Sequence, residues 1–209
     1  MTQSCQYLSG VIILGAGASS LMGRPKLLLP WGKVSIVGHL IHQWRELQAA
    51  QIALVCAAGD EDLQAELDRL CFPKQDRILN PSPERGMFSS IQCAARWSGW
   101  KPQLTDWVIA LGDQPQMRSE TLRALLDFKT AHPDRICQPS FNGRPRHPVI
   151  LPRAEFELLK ETPVENLKLF LQSRAHVVSL LGLDDPGLAL DIDRPGDYVQ
   201  AVRLHGERG

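Results

Sequence analysis

Short apolar runs alternate along the chain with segments in which apolar residues recur every three or four positions. The runs are rich in β-branched residues and end near turn-forming residues, which favours strands buried on both faces. They cover residues 10–14, 52–57, 107–111, 149–151 and 177–180. Five strands are therefore predicted, and the first and third of them run directly into glycine-containing turns.

The segments between these runs have the apolar spacing of amphipathic helices. They contain Ile36, Val37, Leu40, Ile41, Trp44 and Leu47, then Leu63, Leu67 and Leu70, and later Leu122, Leu125 and Leu126. Alternating strands and helices predict an α/β fold in three layers, with helices on both faces of a mostly parallel sheet. Ligands bind such sheets beyond the carboxyl ends of the strands. Segments 138–146 and 181–188, rich in proline, glycine and polar residues, are predicted to be loops.

Length and charge restrict the classes of protein to which this chain can belong. A chain of 209 residues with 44% hydrophobic content can build one sizeable core, so a single domain over residues 1–209 is expected. Its 23 basic and 23 acidic residues give a formal net charge of zero. Without a global field to attract polyanions, we expect neither nucleic acid nor a membrane surface as a partner.

Cysteine usage and the absence of a long apolar segment indicate the cellular compartment in which the protein is expected. The cysteines are far apart, with no C-x-x-C pair: Cys5, Cys56, Cys71, Cys93 and Cys137. This pattern suits a reducing compartment. The first ten residues lack a basic stretch followed by an apolar core, and no later run approaches the ~20 apolar residues that cross a bilayer. The sequence predicts a cytoplasmic protein.

The loop after the first predicted strand has the composition of a phosphate site. Glycines let successive backbone N–H groups approach phosphate oxygens, and Lys26 adds a positive charge for the β and γ phosphates or departing pyrophosphate. A P-loop is excluded, because Gly23 is followed by Arg24 rather than lysine. The dinucleotide fingerprint is weak, because Ser20 takes its third glycine position and no acidic residue lies near Ser35.

Acidic residues at two positions are candidate ligands of Mg²⁺, which proteins commonly hold by one or two carboxylates together with phosphate oxygens. Asp113 follows the predicted strand 107–111, although a turn-forming or helix-capping role before Pro115 fits it as well. Alternation along a strand would point Asp191 and Asp193 to one face. Asp193 also suits the N-cap of a last helix.

The segment 14–26, followed by Leu-Leu-Leu-Pro, resembles the signature L-A-A/G-G-x-S-x-R-M-G-x-P-K of the MobA-like NTP transferases, the molybdenum-cofactor nucleotidyltransferases and their relatives. The resemblance extends to residue 198, and the Asp-Gln-Pro and Asp-Ile-Asp segments are most similar to the molybdopterin cytidylyltransferase branch. It implies a Rossmann-like fold of the nucleotide-diphospho-sugar transferase type. It also implies Mg²⁺-dependent transfer of a nucleotide from CTP or GTP to a phosphate-bearing acceptor such as molybdopterin, with release of pyrophosphate.

The resemblance assigns roles to individual residues. Lys26 and Asp113 would be catalytic, and Asp113, Asp191 and Asp193 would bind the metal. Arg144 and His147 lie in a segment similar to the acceptor-side G-x-x-G-H-P-V. The nucleotide would be bound by Leu14, Gly15, Ala16, Gly17, Gly23, Arg24, Lys26, Asn80, Gly86 and Ser90. Taken alone, Ser89 or Ser90 fits a helix cap equally well.

The chain departs from the family pattern at three places. Leu21 stands where the family carries arginine, with Arg24 as the nearest cation to take its place. Arg146 replaces the glycine before His147, and segment 164–168 lacks an expected Gly-Ala-Arg motif. Two alternatives therefore stay open: transfer to a sugar 1-phosphate, and a non-catalytic nucleotide- or cofactor-binding module that assists a molybdoenzyme or its maturation factor. An NAD-dependent oxidoreductase is a distant third.

Overall fold

The computed structural model describes residues 8–17, 22–23 and 25–206. The strands in this part of the chain are β1 (Ser9–Leu14), β2 (Pro30–Trp31), β3 (Val34–Ser35), β4 (Gln51–Ala57), β5 (Arg77–Asn80), β6 (Asp106–Leu111), β7 (Ile136–Phe141), β8 (Arg144–Pro145), β9 (Val149–Pro152) and β10 (Val178–Gly182). The predicted runs at β1, β4, β6 and β9 are confirmed within one residue at each end.

The helices are α1 (Ile36–Glu46), α2 (Glu61–Arg69), α3 (Met87–Arg96), α4 (Ser119–Ala131), α5 (Arg153–Leu158), α6 (Leu167–Ser173) and α7 (Pro195–Gly206). The three predicted helices correspond to α1, α2 and α4. In the described ranges, every helix is too short or too polar to cross a membrane. Helix α1 begins after Ser35, whose hydroxyl accepts the Gly38 N–H at 3.2 Å and so caps the first turn.

The central sheet has the strand order β10-β7-β9-β6-β1-β4-β5, with β8 paired to β7. Strand β1 is parallel to β4 and β6, β4 is parallel to β5, and β10 is parallel to β7. Strand β9 runs antiparallel to both of its neighbours, β6 and β7. The predicted mostly parallel sheet is confirmed, and the carboxyl ends of the parallel strands share one edge.

Helices cover both faces of this sheet, as predicted. Alternation along β1 sends Val11 and Ile13 into one apolar cluster, which includes buried residues of α1, α2, α4 and α7. Ile12 enters the opposite cluster, with buried residues of α3, α5 and α6. Because both faces are covered, β1 has no polar residue after Ser9 instead of alternating apolar with polar residues. The three-layer α/β/α arrangement is confirmed.

The predicted loops at 138–146 and 181–188 are wrong in part. Residues 138–141 belong to β7, residues 144–145 form β8, and β10 continues to Gly182. Composition alone gives the wrong assignment here, because Pro139 is tolerated within a strand. Its carbonyl still accepts the Arg146 N–H at 2.8 Å. Val177 lies in a 3₁₀ turn instead of the predicted strand, and a second such turn covers Pro186–Ala189.

Close approach of β1 and β6 requires glycine at the end of β6. The Gly112 N–H donates to the Leu14 carbonyl at 3.1 Å. A Cβ atom at Gly112 would lie 2.6 Å from that carbonyl oxygen, so any other residue would force the two chain segments apart. This contact fixes the position of the residue that follows, Asp113.

We expect Gly112→Ala to lower the free energy of unfolding by about 1–3 kcal/mol, because the added methyl overpacks a backbone contact. Chemical denaturation measures the change. Gly196→Ala is the matched control, since a Cβ at Gly196 meets nothing within 4 Å. Equal stability of the two variants would contradict the expectation.

Candidate functional site

A cavity of about 940 Å³ opens at the edge where β1, β4, β5 and β6 end. Charged side chains stand at both of its ends, with Lys26 and Asp113 near β1 and β6 and Asp60 and Glu84 near β4 and β5. Nine of the predicted site residues line it: Leu14, Gly15, Ala16, Gly17, Gly23, Lys26, Gly86, Ser90 and Asp113. Sequence motifs from three separate loops therefore meet around one space.

The described part of the glycine loop leaves β1 along the sheet edge. The Gly15 N–H donates to the Val55 carbonyl at 2.8 Å, and a Cβ at Gly15 would lie 3.1 Å from that oxygen and from Leu27. At Gly17, by contrast, a Cβ would meet nothing within 4 Å, so the backbone there faces open space. Three residues discussed for this loop, Ser20, Leu21 and Arg24, lie outside the described residues.

Lys26 connects this loop to the acidic residues. It begins a 3₁₀ turn, Lys26–Leu28, and its Nζ donates to Asp113 Oδ2 at 2.6 Å and to Asp193 Oδ1 at 3.4 Å. Burial disfavours the charged amine, but the two carboxylates outweigh burial and raise the pKa of Lys26 above its ordinary value. Asp113 Oδ1 is buried without a hydrogen-bond partner in the described structure. Asp113 therefore keeps one acceptor oxygen for a further ligand.

Asp191 and Asp193 reach the same edge, but not along a strand. Residues 191–193 have no regular secondary structure, because the backbone turns back on itself where the Asp193 N–H donates to the Asp191 carbonyl at 3.1 Å. The Ile192 N–H donates to the Asp113 carbonyl at 3.1 Å, which holds the segment against the end of β6. The prediction of strand alternation is wrong, although both carboxylates approach Asp113.

The Asp191 carboxylate contacts Gln114, whose Nε2 donates to Oδ1 at 2.7 Å. Desolvation of the carboxyl group, followed by the negative charge of Asp113, raises the pKa of Asp191 above its usual range. Among the described residues, no three His, Cys, Asp or Glu side chains stand close enough to hold a metal ion by themselves. Any metal here would need further ligands, from water or from a substrate.

Asp193 does not take the N-cap position that the sequence suggested. Helix α7 begins at Pro195, and the Arg194 carbonyl accepts the N–H groups of Asp197 and Tyr198 at 3.0 and 3.3 Å. The Asp197 carboxylate turns back to accept the Asp193 and Arg194 N–H groups at 3.1 and 2.7 Å. The Asp193 side chain is thereby left for Lys26.

Sequence reasoning missed the residue that anchors the acidic segment. Gln116 is fully buried, and its Nε2 donates to the carbonyls of Gly187 and Leu190 at 2.9 and 2.6 Å. Asp185, also buried, accepts from Thr121 Oγ1 at 2.7 Å. A glutamine after a Gln-Pro pair gives no periodic signal, so only the fold shows that it holds the chain leading to Asp191.

The residues predicted to contact the nucleotide near β5 and α3 take two kinds of position, in the cavity wall or buried behind it. Gly86, with φ +86°, precedes α3 and lines the cavity, as does Ser90. Asn80 is buried behind them, and its Nδ2 donates to the hydroxyls of Ser89 and Ser90 at 2.8 and 2.9 Å. Neither serine caps α3, since both lie inside its first turn. Asn80 supports the wall of the cavity instead of forming it.

The predicted acceptor residues lie on the other side of Asp113. His147 Nδ1 is 3.4 Å from the carbonyl oxygen of Ile109, near the end of β6. Burial lowers the pKa of His147 despite the opposing effect of Asp113, so the ring is neutral at neutral pH. Arg144 is exposed on β8. Neither residue lines the described cavity, so together they mark a neighbouring region of the same edge.

A glycine loop, a lysine and carboxylates at the carboxyl edge of a parallel sheet define a nucleotide-binding α/β protein. The chain belongs to the MobA-like NTP transferase domain family, whose model matches residues 11–177. Its homologues are nucleotidyltransferases, and the chain is an enzyme of this class. A molybdenum cofactor cytidylyltransferase from Escherichia coli (strain K12) is 24% identical over 200 residues, covering 94% of this chain and 96% of that protein.

Solved structures share this architecture. Rv0371c from Mycobacterium tuberculosis H37Rv is 26% identical with a TM-score of 0.78, covering 94% of this chain and 98% of that one. Its complex with manganese is 25% identical with a TM-score of 0.70 over the same shares. Molybdopterin-guanine dinucleotide biosynthesis protein A from Archaeoglobus fulgidus, at 15% identity and a TM-score of 0.68, covers 95% and 99% and shows the fold alone.

We expect Gln116→Ala to lower the free energy of unfolding by about 1–3 kcal/mol, because a buried and a partly buried carbonyl group each lose a hydrogen bond. Amide exchange of Ile192 should accelerate, since the segment it belongs to loses its anchor. Hydrogen exchange with mass spectrometry measures the second effect. The exposed Gln172→Ala is the control, and unchanged exchange at Ile192 in Gln116→Ala would refute the anchoring role.

Proposed function

We propose that the enzyme transfers the nucleotide of CTP or GTP to a phosphate-bearing acceptor such as molybdopterin, releasing pyrophosphate in a Mg²⁺-dependent reaction. The observation that carries the proposal is the meeting of Lys26, from the loop after β1, with Asp113, at the end of β6. The name of the Escherichia coli relative, a molybdenum cofactor cytidylyltransferase, supports both the cytidine nucleotide and the acceptor.

In this proposal the glycine loop and Lys26 bind the triphosphate. Backbone N–H groups of Ala16 and Gly17, which line the cavity, approach the phosphate oxygens, and the Lys26 amine neutralises charge on the β and γ phosphates. A phosphate oxygen of the acceptor attacks the α-phosphorus, a bond to that oxygen forms, and the bond to pyrophosphate breaks. Lys26 then stabilises the departing pyrophosphate. The protein supplies position and charge, and no side chain becomes covalently modified.

Mg²⁺ would be held by carboxylate oxygens of Asp113, Asp191 and Asp193 together with the phosphates. The buried, unpartnered Oδ1 of Asp113 fits this role, because an unsatisfied carboxylate oxygen is costly without a cation or donor. The need for phosphate ligands agrees with the absence of a self-sufficient site among the described side chains. When bound, the metal would neutralise charge on the reacting phosphates. The manganese complex of Rv0371c supports a divalent ion.

The acceptor would lie near His147 and Arg144. The single proton of the neutral His147 ring faces the Ile109 carbonyl from Nδ1, so Nε2 would accept a hydrogen bond from the acceptor, while the exposed guanidinium of Arg144 attracts an acceptor phosphate. If the acceptor is a molybdenum cofactor, the product must pass to a molybdoenzyme or its maturation factor, which would then be a protein partner.

We expect Asp113→Asn to abolish the Mg²⁺-dependent rise in melting temperature that CTP or GTP produces, because the amide cannot ligate the metal as a carboxylate does. Turnover should fall by at least about 100-fold. A thermal-shift screen of CTP, GTP, ATP and UTP, with and without Mg²⁺, measures the first effect and identifies the base. The control is Asp134→Asn in an exposed turn. No shift by any NTP on the native chain would refute the proposal.

We expect pyrophosphate release from CTP or GTP in the presence of molybdopterin, and none with a hexose 1-phosphate. His147→Ala should raise the KM for the acceptor by about tenfold, the loss of one hydrogen bond, and leave the KM for the nucleotide unchanged. The exposed His176→Ala, at the opposite end of β10, serves as the control. Release with the sugar phosphate alone would overturn the acceptor assignment and leave the nucleotide assignment intact.

A further inference from the structure

Lys26 lies between two of the carboxylates that are proposed to bind Mg²⁺. Its Nζ is 2.6 Å from Asp113 Oδ2 and 3.4 Å from Asp193 Oδ1. The side chains of Lys26 and Asp113 are only 14% and 19% exposed, whereas that of Asp193 is 59% exposed. The ammonium group thus holds together a buried and an exposed carboxylate that are distant in sequence.

A divalent ion shared by Asp113 and Asp193 would compete with this amine. Mg²⁺ binds oxygen at about 2.1 Å, so an ion on Asp113 Oδ1 that also ligates Asp193 Oδ1 takes over an oxygen that Nζ contacts at 3.4 Å. Even beside the amine, it would place two positive centres a few ångströms apart in a partly buried site, where water screens charge poorly. The metal and the Lys26–carboxylate contacts are therefore mutually unfavourable.

We infer that Lys26 acts as a placeholder cation, which keeps Asp113 and Asp193 paired in the nucleotide-free enzyme and hinders metal binding until a triphosphate draws the amine away. This inference rests on the proposed function, because it takes Lys26 to the phosphates and the metal to the carboxylates. One side chain then serves both states. It neutralises the acidic residues before the nucleotide arrives and neutralises the nucleotide afterwards.

Cooperative binding follows. The triphosphate raises the affinity of the protein for the metal by removing its competitor, and the metal must raise the affinity for the triphosphate by the same factor. A free enzyme with this design binds a divalent ion only weakly, so its carboxylates are occupied mainly by the metal that accompanies a nucleotide. Lys26 would be a residue that sets the order of binding, in addition to its contact with substrate.

The test measures Mn²⁺ binding in the absence of nucleotide, by the electron paramagnetic resonance signal of free Mn²⁺. Lys26→Gln removes the charge but keeps an amide donor for Asp113. We expect it to bind Mn²⁺ roughly tenfold or more tightly than the native chain, within the usual range of coupling between sites. Lys26→Arg keeps the charge and should stay as weak as the native chain. Lys168→Gln, on the exposed surface of α6, removes the same charge elsewhere and should change nothing.

Equal Mn²⁺ affinity of Lys26→Gln and the native chain would overturn the inference, provided that circular dichroism shows both to be folded. A second measurement needs no variant. Mn²⁺ alone should leave the melting temperature of the native chain unchanged, whereas Mn²⁺ added with CTP should raise it beyond CTP alone. A full shift with Mn²⁺ alone would also overturn the inference. Failure of every NTP to shift the melting temperature refutes the proposed function instead.

Discussion

Parallel pairing of β1 with β6 sets Leu14 beside Leu111, so two loops distant in sequence leave the sheet at the same point. The Gly112 N–H extends the pairing by one step beyond the strands, to the Leu14 carbonyl. Without this contact, the glycine loop and Asp113 would have no fixed relation. Lys26 and Asp113 can form an ion pair because the backbone has already brought their loops together, and the segment 191–193 then closes over both.

An element of the fold could be predicted from the sequence wherever the residue pattern of that element had one physical cause. Strands β1, β4 and β6 lie between two helical layers, so their unbroken apolar runs predicted them closely. Residues 138–141 of β7 have the composition of a loop, because Pro139 and its polar neighbours outweigh the short apolar start of the strand. Strand β5 gave too little periodicity, since it has only four residues and Leu79 within it is exposed. Tertiary contacts, not local preference, decide these elements.

The candidate site was predictable in its residues but not in its contacts. Glycines, Lys26 and Asp113 lie in loops after strands, where the fold class alone directs attention. The approach of Asp193 to Lys26, the tether from Gln116 to Leu190, and the buried position of Asn80 each depend on chain segments far apart in sequence. The family resemblance supplied candidate roles, and those roles await the experiments described with them.

Strand β9 divides the sheet into two parallel halves, because it runs against both neighbours. The cavity belongs to the half that contains β6, β1, β4 and β5. His147 lies at the same edge of the sheet, in the segment that connects β7 to β9. In the proposed function, the nucleotide and the acceptor would thus be bound by separate parts of the sheet that meet at Asp113. Such a division would allow the loop that carries His147 to be replaced, in evolution or by protein engineering, with a loop of another length. The half of the sheet that contains the cavity would keep its geometry. A change of acceptor would therefore require few compensating substitutions elsewhere.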